Sequence, residues 1–136
     1  MKEKLNEILV KEYESLNKLL SVLDEQHSRI VKNDVFGMEA IVRKIEKENK
    51  AVAELEMERR KLTQGREISG IIQQFKDEDL DRNYRNLKML LQQLILQKDN
   101  NELLIRQRLG FTTQMLSILS PDRSAKTYNA NGRRRK

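Results

Sequence analysis

The tightest constraint on this chain is a set of apolar residues that returns after four positions and then after three. Leu9, Tyr13, Leu16, Leu20, Leu23, His27 and Ile30 follow that alternation, and Leu5 and Ile8 extend it toward the N-terminus. Such spacing puts one narrow stripe along one side of an α-helix, as in a coiled-coil seam. It predicts a helix from about Lys2 to about Val31. At ~1.5 Å per residue, about 30 residues reach roughly 45 Å. A rod of that length has no way to bury its own seam, so the rest of the chain must supply partner helices.

The sequence that follows does so. Asn33 and Asp34 suit an N-cap after a short turn, because their side-chain oxygens accept the orphan amides of the next helix. A second helix is predicted from about Val35 to about Leu62, apolar at Met38, Ile41, Val42, Ile45, Val52, Leu55 and Leu62 and interrupted by Glu48 and Arg59. A turn this short makes the first two helices antiparallel neighbours. Gly65 and Gly70 break the pattern around a short element from Ile68 to Phe75. Asp77, Glu78 and Asp79 then bring negative charge to a helix start, where the macrodipole favours it.

The last long helix is predicted to carry Leu80, Tyr84, Leu87, Leu91, Leu94, Lys98, Asn101, Ile105, Arg108, Thr112, Met115 and Leu119 in heptad register. It should end near Ser120, since Pro121 disfavours helical backbone in the residue before it. With 4% aromatic residues, one Pro and 35% charged residues, the composition also suits long helices with narrow seams. The expected fold is all-α: an elongated antiparallel three-helix coiled-coil bundle with a short element near 67–75. Residues 1–120 form the helical domain, and 121–136, which lack periodicity, form a flexible, disordered basic tail.

Charge and residue inventory narrow the function. The net charge is +6, but the stretch 121–136 holds six basic residues (Arg123, Lys126, Arg133, Arg134, Arg135, Lys136) against Asp122, leaving +1 for the first 120 residues. A nearly neutral body lacks the basic stripe of a nucleic-acid binder. With no Cys there is neither disulfide nor thiolate metal site. No targeting or long apolar segment is visible, so a cytoplasmic protein is expected. One His and no phosphate loop offer little to hydrolytic or transfer chemistry. His27 reads as a seam histidine rather than a metal ligand. No enzyme activity, catalytic residue, metal or cofactor is expected. Glu48, Lys98 and Asn101 interrupt the seams; they either fix register as buried polar residues or lie where the bundle frays and water reaches them.

The end of the last helix is unusually apolar. Advancing ~100° per residue, one stripe holds Ile105, Leu109, Thr112 and Leu116. A second holds Leu104, Phe111 and Ile118, with Met115 between the stripes. Either this helix touches both other helices and uses two faces, or one stripe is a groove for an amphipathic helix of another protein.

The order Asn101-Glu102-Leu103-Leu104-Ile105-Arg106-Gln107-Arg108-Leu109, then Met115-Leu116-Ser117-Ile118-Leu119, then Thr127-Tyr128-Asn129-Ala130-Asn131-Gly132 resembles the C-terminal signature of FlgN-type flagellar export chaperones. The likeness is sharpest over about residues 100–132 and looser over the whole chain. Arg133 to Lys136 fall outside it. The resemblance implies a cytosolic chaperone of flagellar type III secretion whose clients are hook–filament junction proteins. Their C-terminal amphipathic segments would be held unassembled until delivery to the cytoplasmic domain of the membrane-embedded export gate. Client binding carries over to Leu104, Leu109, Phe111, Met115, Leu116 and Ile118, and export-gate docking to Tyr128. Contact with the membrane would be peripheral, through the export apparatus. The alternatives are a structural coiled-coil or homodimeric adaptor, and a nucleic-acid binder acting through its basic tail.

Overall fold

The computed structural model describes residues 1–108, and among them the chain forms four helices and no strand: α1 (Lys2–Val31), α2 (Val35–Thr63), α3 (Ile68–Phe75) and α4 (Glu78–Arg108). Local chemistry sets each boundary. Between α1 and α2, Asn33 takes a left-handed conformation (φ 56°) and Asp34 caps α2. Its Oδ1 accepts the Gly37 N–H at 2.9 Å, and its Oδ2 accepts from the Arg29 guanidinium at 3.2 Å. A Cβ on residue 37 would stand 2.7 Å from Asp34 Cγ and 2.8 Å from Arg29 Cδ, so a glycine keeps this cap closed.

After α2 the chain leaves the helix through Gln64 (φ 55°) and Gly65 (φ 76°), whose N–H bonds back to Arg60 O at 3.1 Å. Lys76 ends α3 in the same left-handed region. Asp77 then starts α4, its Oδ1 accepting the Leu80 N–H at 3.0 Å. That backbone bond, together with Lys2 at 3.2 Å, holds the Asp77 carboxyl below the usual carboxylate range.

The helices contribute to two compact units. One comprises Met1–Ser21 and Glu46–Ile95. Its core is Leu5, Leu9 and Leu16 from α1, Ile71 and Ile72 from α3, and Leu80, Leu87, Leu90 and Leu94 from α4. Here α1 and α4 run in the same direction, tied by Lys2–Asp77 and by Asn83 donating to Asn6 at 2.6 Å. The α2 segment of this unit packs more thinly, with Val52, Leu55 and Leu62 only partly buried. It is fastened instead by Arg59, whose Nε donates to Glu12 Oε1 at 3.0 Å. Burial pushes the Glu12 carboxyl above its ordinary range, outweighing the pull of the Arg59 charge.

The other unit comprises Val22–Ile45 and the chain from Leu96 onward. The closing turn makes α1 and α2 antiparallel there, and Lys44 reaches Glu25 at 3.2 Å. Ile30, Met38 and Ile105 form a buried cluster with Val42 and Leu104 packed against it, while Leu23, Ile41 and Ile45 are buried nearby in sequence.

Two seams differ from the sequence-based expectation. On α1 the buried positions are Leu5, Ile8, Leu9, Glu12, Ser15, Leu16, Leu23, Gln26 and Ile30; Tyr13 is 37% exposed and His27 partly buried. On α4, Leu90 is buried in place of Leu91, which is 47% exposed, and Lys98 is exposed while Gln97 is partly covered. In each case the true seam position is one residue earlier, and at Glu12, Gln26 and Gln97 it is a polar residue whose partner lies within its own unit. The register alternates by four and three as expected; the identity of the alternate members does not.

Candidate client-binding surface

The apolar end of α4 is positioned by the polar layer that precedes it. Asn101 is fully buried. Its Nδ2 donates to Leu23 O and to Gln26 Oε1, both at 2.9 Å. Leu23 O can only accept, which fixes the orientation of the amide. Asn101 Oδ1 therefore accepts from Gln97 Nε2 at 2.9 Å and faces His27 Nδ1 at 3.3 Å, so that imidazole nitrogen must carry the hydrogen. Asn101 is thus a buried polar residue, one of the two alternatives left open by the sequence; Gln26 joins it in the layer, and His27 lends a donor. Glu48 is partly buried and Lys98 exposed.

Because this layer fixes the rotation of α4, the three residues after Glu102 acquire distinct environments. Ile105 points into the cluster with Ile30 and Met38 and is 1% exposed. Leu104 is a shoulder, partly buried against the same cluster. Leu103 is 51% exposed. Glu102, itself buried, accepts from Arg106 at 2.8 Å across one helical turn. The helix therefore carries a graded apolar edge up to its last described turn. Of the residues assigned to client binding, Leu104 lies on this edge. Leu109, Phe111, Met115, Leu116 and Ile118 lie outside the described residues, as does Tyr128.

Sequence reasoning missed other apolar side chains that face solvent. Phe36 is 84% exposed in the first turn of α2, Leu96 70% and Met89 65% on α4, and Met57 61% on α2. A heptad count finds Met89, Leu96 and Leu103 at seven-residue intervals, but that signal is hidden by the neighbouring core leucines. An open groove along α1, lined by Glu3, Asn6, Glu7, Val10, Lys11 and Glu14, is mostly charged and unlike an apolar client groove. Among the described residues, no group of three or more His, Cys, Asp or Glu could hold a metal ion, and no helix is long and apolar enough to cross a membrane.

The comparison with known families decides the relationship. The family described as FlgN protein matches residues 1–136, the whole chain. The chain is a FlgN family member. Membership makes it a flagellar export chaperone, of a family that binds flagellar export substrates and is not an enzyme family. No curated protein and no solved structure matches this FlgN family member.

Proposed function

We propose that this chaperone acts in the cytoplasm, binds the C-terminal amphipathic segments of hook–filament junction proteins, prevents their premature assembly, and delivers them to the cytoplasmic domain of the type III export gate. The observation that supports this reading best is the graded apolar edge at the end of α4, where Leu103 is half exposed and Leu104 only partly covered. The sequence beyond it continues with Leu109, Phe111, Met115, Leu116 and Ile118. Apolar side chains on one helical face suit an amphipathic client helix, and binding of that kind is mainly hydrophobic and weakly salt-dependent. A lone aromatic in the polar tail, Tyr128, suits a separate contact made by a small amphipathic anchor.

The test is a pull-down with a purified junction protein. Replacing Leu104, Phe111 and Ile118 by Ser is expected to abolish capture while circular dichroism shows the helices retained. Because Leu104 also packs on Ile30 and Met38, a Phe111→Ser, Ile118→Ser pair separates lost binding from lost packing. Capture by both variants at wild-type level would move the client surface elsewhere. Tyr128→Ala is expected to spare client capture and weaken recruitment to the export gate; loss of client capture would refute that division of labour.

A further inference from the structure

Within the unit that holds the Asn101 layer, the edge of α1 beside α4 changes chemistry from one helical turn to the next. His27 marks where the two helices face each other, since its Nδ1 donates to Asn101 Oδ1 at 3.3 Å. In the neutral imidazole the opposite nitrogen, Nε2, then keeps its lone pair, and it meets no donor among the described residues. Asp24 lies one turn before His27 on the same side of α1 and is exposed. The neighbouring cations Arg29 and Lys44 pair with Glu25 and Asp34 rather than with Asp24. One turn after His27 stands Val31, which is 44% exposed.

Leu23 and Gln26 meet Asn101, and Ile30 meets Ile105, so α1 and α4 run the same way here too. The step from His27 to Val31 is therefore matched on α4 by the step from Asn101 to Leu104, the shoulder residue of the Ile30 cluster. Val31 is the last residue of α1, whereas α4 continues to Arg108. The two helices thus border a notch with Val31 and Leu104 at its apolar end. Its other end offers acceptors only, His27 Nε2 and the Asp24 carboxylate. Leu104 also opens the apolar stripe that the sequence repeats at Phe111 and Ile118. An amphipathic helix fits this arrangement if a cation flanks its apolar face, because a neutral donor would satisfy His27 and leave the Asp24 charge unmatched. We propose that the client helix is seated in this notch, its apolar face on Val31 and Leu104 and an Arg or Lys donating to His27 Nε2 and pairing with Asp24. The inference rests on the client-binding reading of Leu104 and adds α1 to that surface.

The test is calorimetric titration of the full-length protein with the C-terminal segment of a hook–filament junction protein. Val31→Ser should weaken binding roughly tenfold. Asp24→Asn should weaken it roughly threefold and remove the small salt dependence of the wild type. His27→Ala should weaken it roughly threefold and leave that salt dependence in place. Val31 and Asp24 are exposed, so unchanged thermal melts will show that these variants remain folded. The chain has no cysteine, so Val31→Cys can carry a single thiol-linked benzophenone, which should join the client segment on irradiation. Wild-type affinity in all three variants, while the Phe111→Ser, Ile118→Ser pair binds nothing, would overturn the notch and leave the client reading standing. No binding by the wild type would overturn both. A benzophenone cross-link to the chain's own residues 109–136 under saturating client segment would also overturn the notch, since that assigns it to the chain's own C-terminal end.

Discussion

The two units tie α1 to its neighbours with opposite polar chemistries. In one, Glu12 and Arg59 bring opposite charges into a thinly packed stretch of α2. In the other, Asn101 holds Leu23, Gln26, Gln97 and His27 through a fully buried amide. A charged tie tolerates loose geometry, because a long arginine keeps part of its guanidinium in water while it pairs. An amide layer is directional: Asn101 meets its partners only in one orientation, so it specifies rotation as well as proximity, although Gln26 Nε2 is left buried without an acceptor. The directional device stands one turn before the graded edge formed by Leu103, Leu104 and Ile105, where helix rotation decides which leucine faces out.

Substitutions sharpen this contrast in order of expected effect. Asn101→Ala should be the most damaging, at about 2–4 kcal/mol, since it leaves Gln26 without its partner and opens a cavity in a buried layer. Urea denaturation measures this, and a cost under about 1 kcal/mol would show that the layer is not holding α4. Glu12→Ala at neutral pH should cost about 1–2 kcal/mol, by leaving Arg59 without its partner and a gap at a buried position. Replacing the pair together, as Glu12→Leu with Arg59→Met, should recover most of that loss, because the carboxylate is buried at a desolvation cost. His27→Ala should have the smallest effect, under about 1 kcal/mol, because Asn101 keeps its other three partners.

Acid titration breaks the comparison in another way. The Glu12 carboxyl is raised in the folded state, so the fold binds a proton there more readily than the unfolded chain does. Its contribution to stability therefore improves as pH falls from neutral through that raised value. Asp77 works the other way: its carboxyl is lowered by the Leu80 N–H and by Lys2. The stability it supplies is complete above the ordinary carboxylate range and is lost as pH drops through its depressed value. Denaturant midpoints followed from pH 7 downward should show the gap between wild type and Glu12→Ala widening with acid, whereas the gap for Asp77→Asn narrows at the lowest pH. Parallel curves for both variants would contradict these assignments.

Helix boundaries were legible in the sequence because their causes are local. Asp34 and Asp77 cap within three residues of themselves, and Gly65 sits where α2 must leave the helical conformation. The seams were legible in period but not in full membership. Glu12, Gln26 and Gln97 are polar and gave no apolar mark, so the four–three spacing carried on from apolar neighbours fell one residue later, on Tyr13, His27 and Lys98. What buries Glu12 and Gln26 is a partner on another helix, 47 residues away for Glu12 and 75 for Gln26, which no local pattern records. Leu91 was chosen over Leu90 for a related reason: adjacent leucines satisfy the period equally, and only the packing of the first unit separates them. At the end of α4, apolarity was readable, but the exposure of Leu103 and the shoulder position of Leu104 follow from the rotation that Asn101 imposes.

Client binding at the end of α4 is tested most directly by calorimetric titration of the full-length protein with the C-terminal segment of a hook–filament junction protein. Wild-type protein should bind with an affinity that changes little when salt is raised, and the Phe111→Ser, Ile118→Ser pair should show no heat of binding. Equal binding by wild type and variant, or no binding by the wild type, would contradict it.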